Sequence, residues 1–325
     1  MKVIMKKIIG FSLIVCLCSV QSFSQKRKVY RRGEANPTTT FIKDSTDNRP
    51  QRVRKKDSTE KVCNCNTDLS FDPTTKIALD KSKPGNPPYT GKCVGFFPNR
   101  EPEMQLSFVN GKEDGTWVFF YESGTPKIIK NYAEGKPHGK WTAFEKDSIV
   151  FSERNFNYGI KHGRQVFYNP ETQKVKKIEN YIFGKKNGEF KEYYSSGSIK
   201  RVVNYKDNKF DGEYKKFLND STLIIEKEYK EGKINGVDNS YFDDGSLSYR
   251  TSYDMGEPEG EWIFNYENGT TYKEESYRKG KKHGVWKEYY KNEVLKYEIE
   301  YKKGKLVSEK HYDKFGELTS SSGEK

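Results

Sequence analysis

The chain has 325 residues, 32% of them charged, and a formal net charge of +13. That charge is uneven: three lysines lie in residues 1–24, and residues 25–62 hold 12 basic against 5 acidic side chains, leaving residues 63–325 near +3. Most of the chain therefore lacks the long basic face that releases counterions along a polynucleotide, and nucleic acid is not expected as a partner.

Residues 1–24 read as a signal peptide. Lys2, Lys6 and Lys7 precede the apolar run IIGFSLIVCLCSV, and Ser22-Phe23-Ser24 supplies a small-x-small cleavage site. The run is short for a spanning helix, and Val15 and Leu17 stand where a lipoprotein site needs a small residue before cysteine. Export to the periplasm, the outer membrane surface or the medium is expected. Residues 25–62, KRKVYRRGE through RPQRVRKKDSTEK, have few apolar side chains and many like charges, which predicts a disordered basic linker. Such a segment can also settle on an anionic lipid surface.

Residues 63–88 form an irregular N-terminal cap. Once Cys16 and Cys18 leave with the signal, Cys63, Cys65 and Cys93 remain. In an oxidising compartment a bridge from Cys63 or Cys65 to Cys93 would tie the cap to the first hairpin. Three cysteines with no nearby histidine make a poor structural zinc site, and no metal or cofactor is expected.

Residues 89–312 repeat. A first glycine recurs about every 24 residues, from Gly111 and Gly135 to Gly280 and Gly304, with Asn208 in place of one. A second follows four residues later, from Gly115 to Gly284. An aromatic stands three residues before each first glycine, from Phe108 to Tyr301. Two residues after the second glycine come Trp117, Trp141, Phe190, Tyr214, Trp262 and Trp286, with Gln165 and Asp238 as departures. Aromatic runs bounded by glycine clusters predict strands, and ESGT, SSGS, DDGS and ENGT predict a closing turn in each unit. The fold class is all-β: an elongated antiparallel meander of tandem hairpins. A last strand through His311 and Tyr312 covers the edge, and residues 313–325 are expected to be a disordered tail.

The pattern Y-x-x-G-K-x-x-G-x-W-x-x-Y/F, best seen in NYAEGKPHGKWTAF, NYIFGKKNGEFKEYY and SYRKGKKHGVWKEYY, resembles the bacterial variant of the MORN repeat. Some arrays of that repeat carry the name YwqK-type antitoxin. The resemblance implies stacked hairpins and brings no catalytic residues with it.

Nothing in the residues argues for an enzyme. His138, His162 and His283 precede the second glycine, where other copies have Asn187, Asp211 or Asn235, so turn chemistry explains them. His138 and His162 would stand about 10 Å apart, too far to share an ion. No G-x-S-x-G elbow, H-E-x-x-H or Walker loop occurs. The expected role is a non-catalytic protein-binding or scaffolding module at the bacterial cell envelope, with a protein partner or self-association. Its candidate surface is the column Trp117, Trp141, Phe190, Tyr214, Trp262 and Trp286, expected to stay partly exposed on a single-layer sheet. The alternatives are envelope glycan stacking on that column and antitoxin-like neutralisation of a toxic protein.

Overall fold

The computed structural model describes residues 40–42, 51–53 and 62–323. The expected signal peptide lies outside the described residues. The chain divides into two units, Met1–Glu60 and Lys61–Lys325. In the first, Thr40–Ile42 pairs antiparallel with Gln51–Val53. This corrects the reading of 25–62 as wholly without structure: Thr40, Phe41, Ile42 and Val53 are good strand formers inside an otherwise charged segment.

The second unit is a meander with no helix among the described residues. One repeat shows its logic. Gly115–Phe120 pairs with Pro126–Ala133, which pairs in turn with Lys136–Pro137 and Gly139–Phe144. The expected glycine-bracketed turn resolves into two devices. The first is a two-residue hairpin loop, Glu134-Gly135, with positive φ at both residues (53° and 80°), the signature of a type I′ turn. The second is a break at His138-Gly139, where Gly139 has φ 73° and interrupts the return strand. In three copies the break closes, and Lys209–Phe217, Lys233–Tyr241 and Lys305–Tyr312 run as single strands. A wider turn, Tyr121–Thr125, closes the far side, with the Tyr121 and Gly124 amides donating across it.

Because successive strands run alternately from a wide turn to a tight turn and back, all tight turns lie along one edge of the sheet and all wide turns along the other. No ladder among the described residues joins Leu318–Gly323 to Cys63–Asn64 or Gly91–Phe96, so the meander is open, not a closed barrel.

At the start, Cys63–Asn64 runs parallel to Gly91–Phe96, and Cys65–Cys93 is the disulfide. Cys63 keeps its thiol, packs against the first core cluster and lies beside the Tyr89 hydroxyl. That cluster joins Leu69 and Ala78 of the cap to Cys93, Leu106, Phe108 and Trp117. At the far end the structure corrects the expected disordered tail. Leu318–Gly323 pairs antiparallel with Lys305–Tyr312, from Tyr312↔Leu318 to Ser308↔Gly323. The previous strand offers a full row of backbone donors and acceptors, and pairing proceeds although every side chain of the new strand is exposed.

Candidate functional site

The aromatic column is an internal ladder. The indole N–H of Trp117, Trp141, Trp262 and Trp286 donates to the carbonyl ten residues earlier, at Ser107, Asn131, Ser252 and Ser276, over 2.8–3.0 Å. Each ring also touches the aromatics of both neighbouring strands. Phe108, Trp117, Tyr132, Trp141 and Phe156 follow one another with ring centroids 4.8–5.4 Å apart. Tyr181, Phe190, Tyr205, Phe210 and Tyr229 form a second run, and Tyr253, Trp262, Tyr277, Trp286 and Tyr301 a third. Lysines cover the rings from the tight-turn side: Lys282 lies 4.2 Å from the Trp286 ring and 4.8 Å from Tyr301, and Lys186 spans Phe190 and Tyr205.

The six side chains of the expected binding column differ in exposure. Trp117, Phe190 and Trp286 are under a tenth exposed, and Trp141, Tyr214 and Trp262 are half-buried. Lysine ammonium groups lie over Trp141, Phe190 and Trp286, 4.2–5.5 Å from the ring centroids, and narrow what those rings can offer a ligand. The tyrosines record the same burial. Tyr132 and Tyr181 are pushed up to about 12, by burial first and then by the charge of Glu113 and Glu179 respectively.

The two departures from the column are the seams between its three runs. Gln165 is fully buried and does the work of an indole: its amide donates to the same carbonyl, Asn155 O at 3.0 Å, and its Oε1 accepts from Asn155 N at 3.0 Å. Asp238, 5% exposed, is paired with Lys227 at 2.9 Å. Buried carboxylates elsewhere are equally committed. Glu275 accepts from Tyr277 Oη and pairs with Lys273, and Glu179 repeats the arrangement with Tyr181 and Lys177. For Glu179, burial raises the carboxyl, but the hydrogen bonds and charge of Lys177 outweigh it and the net shift is downward. A motif that recurs four repeats apart is a packing device, and its carboxylates are tied up in it. Among the described residues no three possible metal ligands converge.

The tight-turn edge has its own code. In each turn the glycine N–H, or that of Asn208, donates to a carbonyl of the preceding copy, as from Gly159 to Pro137 and Gly280 to Pro258. In six copies the residue before the second glycine receives the other turn amide of the next copy, whereas His138 Nδ1 is buried without a hydrogen-bond partner. Glu134 N donates to Asp114, Glu231 N to Asp211, Met255 N to Asn235 and Lys279 N to Glu259, at 2.7–3.1 Å. His162 and His283 accept through Nδ1, from Phe183 N at 3.3 Å and Lys303 N at 3.5 Å. Aspartate, asparagine, glutamate and histidine interchange here because each offers an acceptor.

The first residue of the tight turn points outward and varies freely. In most copies it is polar: Asn110, Glu134, Asp207, Glu231, Lys279, Lys303. In two adjacent copies it is Tyr158 (φ 44°) and Phe183 (φ 45°), bulky residues in a left-handed conformation that usually disfavours them. Tyr158 and Phe183 are 48% and 63% exposed, and Ile160 and Ile182 beside them are 47% and 48% exposed. The two turns touch: a Cβ on Gly184 would stand 3.0 Å from Ile160 Cγ2. Tyr158 stacks on His138 and Phe183 on His162, with centroids 4.7 and 4.9 Å apart. The result is an apolar patch rimmed by Lys161, Lys185 and Lys186, beside the Gln165 seam. The signal was present in the sequence as two adjacent aromatics at a turn position that is polar in every other copy but the one with Met255, but it is drowned by the larger aromatic periodicity.

Four segments, 113–134, 186–207, 258–279 and 282–303, match the family model described as the MORN repeat variant. No curated protein sequence matches the chain. Solved structures similar to it include the crystal structure of TcdB2-TccC3, 10% identical over 71% of this chain and 18% of that one, with a TM-score of 0.18. The TcdB2-TccC3-Cdc42 crystal structure is 10% identical, covers 78% and 18%, and scores 0.17. The Photorhabdus luminescens Tc holotoxin pore carrying TccC3-D651A is 9% identical, covers 78% and 18%, and scores 0.14. The chain spans 18% of the length of these proteins.

Proposed function

From the premise that this chain is a tandem β-hairpin array of MORN-variant repeats, we propose that it is a non-catalytic protein-binding module exported to the bacterial cell envelope. The observation that carries this reading is the apolar patch of Tyr158, Ile160, Ile182 and Phe183. Soluble proteins seldom hold two large aromatics outward in a strained backbone conformation without a use for them. Aromatics at the centre of a contact, with cations at the rim, are the residue types that dominate protein–protein affinity. The partner fitted to it is a protein with an apolar surface bordered by carboxylates. Export is supported by the basic start, apolar run and small-x-small site of residues 1–24.

The test compares the tagged full chain with a Tyr158→Asn, Phe183→Asn variant as bait in a solubilised envelope fraction, washed at high salt. Asparagine already occupies this turn position at Asn110 and tolerates the left-handed conformation, so the fold should be preserved. A protein retained by the native chain and lost with the variant supports the reading. Retention by both, or by neither, refutes it.

A further inference from the structure

The two edges of the sheet carry opposite charge in the C-terminal half. On the tight-turn edge, one turn presents Arg278, Lys279, Lys281 and Lys282, and the next presents Lys302, Lys303 and Lys305; all are exposed. None of these cations forms an ion pair among the described residues. The preceding turn, with Asp254, Glu257 and Glu259, ends the cluster on one side. On the wide-turn edge, three successive turns present Asp220, Asp243, Asp244 and Glu267, all exposed, without a lysine or arginine in those turns and without an ion pair among the described residues. Lys291 and Lys314 end that run in the turns that follow.

Both rows belong to one meander, so both advance by two strands per turn, about 10 Å. Two copies laid side by side, one's tight-turn edge against the other's wide-turn edge, therefore place successive cationic turns against successive carboxylate turns at matching pitch. We propose that a second copy of this chain docks its acidic wide-turn edge, Asp220 to Glu267, on the basic tight-turn edge from Arg278 to Lys305. The contact is head-to-tail: it uses different surfaces on the two copies and leaves each outer edge open to a further copy. Exposed ion pairs are individually weak, so the association is reversible and governed by salt. This deepens the binding role proposed above by naming one partner, through a surface separate from the Tyr158 and Phe183 patch.

The experiment is sedimentation equilibrium of the full chain across a concentration series. It is run at about 0.01 M salt, where charges act over about 30 Å, and at about 1 M, where that range falls to about 3 Å. Two charge-reversed proteins accompany it. One carries Lys279→Glu, Lys281→Glu, Lys303→Glu and Lys305→Glu; other copies already have Glu134, Glu231 and Glu257 at these turn positions. The other carries Asp220→Lys, Asp243→Lys, Asp244→Lys and Glu267→Lys; Lys146 and Lys291 already occupy the Asp243 and Glu267 positions in sister turns.

The expected result is a mass that rises with concentration at low salt and an association constant about tenfold or more weaker at high salt. Each reversed protein alone should stay monomeric, and an equimolar mixture of the two should associate again, which damage to the fold could not produce. The proposal is overturned by a native chain that stays monomeric at low salt, by association that survives the reversals, or by a mixture that stays monomeric. A monomeric chain that binds inorganic polyphosphate through Lys279 and Lys303 overturns it in favour of a polyanion. A chain that stays monomeric yet still captures a protein through Tyr158 and Phe183 removes this inference and leaves the broader role standing.

Discussion

The claim that Gln165 replaces an indole can be tested with a change of one atom. Gln165→Glu keeps the shape of a fully buried side chain and the oxygen that accepts from Asn155 N. It removes the N–H groups that donate to Asn155 O at 3.0 Å and Gly163 O at 3.2 Å, and turns an oxygen toward both carbonyls. Two lost hydrogen bonds cost about 1 kcal/mol each, and an unpaired buried carboxylate costs about 3–5 kcal/mol unless it stays protonated. The variant should therefore lose about 3–5 kcal/mol at neutral pH. Its folded carboxyl would titrate above the unfolded value of about 4.3. With the folded value raised, the native state holds a proton the unfolded chain releases, so the deficit is smallest below about pH 4. It grows as pH rises toward the folded value and is constant beyond it. Urea unfolding followed by tryptophan fluorescence at about pH 4 and pH 7 reads the total. Hydrogen exchange in Val150–Asn157 and Gly163–Tyr168 reads it locally, as a repeat array requires. A variant as stable as the native chain at pH 7, or a deficit indifferent to pH, would refute the assignment.

Three further outcomes follow from the same geometry. Lys227→Met strands the 5% exposed Asp238 carboxylate and should cost about 3 kcal/mol, while Lys227→Met with Asp238→Leu recovers most of it; equal melting temperatures for the native chain and the single variant would count against a paired seam. Alkaline titration should unfold the ladder late. Tyr132 and Tyr181 hold their protons to about 12, and burial raises Tyr277 and Tyr297 as well, so their contribution is intact below about pH 10 and lost as pH climbs toward 12. Phenolate absorbance that grows fully at pH 10, before any loss of structure, would contradict this. Reducing Cys65–Cys93, a closure of 28 residues, should weaken the cap by about 3–4 kcal/mol and expose Trp117 to solvent; unchanged Trp117 emission after reduction would show that the cap holds without the bridge.

The repeat was legible because its signals are local. Glycine at Gly135 or Gly280 is demanded by the second residue of a type I′ turn, and the aromatics before and after it pair across adjacent strands. What sits between distant residues was not legible. The bond from an indole to a carbonyl ten residues back leaves no mark in the text, so Gln165 reads as drift until Asn155 is seen beside it. The column was expected to be half-exposed because a single sheet has two open faces. Ring-to-ring contact along the ladder buries Trp117, Phe190 and Trp286, while Trp141, Tyr214 and Trp262 stay half-buried. The final strand from Leu318 to Gly323 was missed for a different reason: backbone pairing holds it, and serine and threonine there carry no apolar periodicity.

These constraints also say where recognition can vary within such an array. A ladder position answers to two neighbouring rings and one carbonyl, so even its exceptions, Gln165 and Asp238, are buried and fully bonded. The first residue of a tight turn answers only to its own φ and to an acceptor on its backbone amide, and its side chain meets solvent. Across the copies it is Asn110, Glu134, Tyr158, Phe183, Asp207, Glu231, Met255, Lys279 and Lys303. Apolar, acidic and basic identities can therefore be changed there without touching the core. The apolar pair in the middle of the edge and the cationic pair at its end, the two surfaces proposed for binding, both stand at positions where the fold is indifferent to the change.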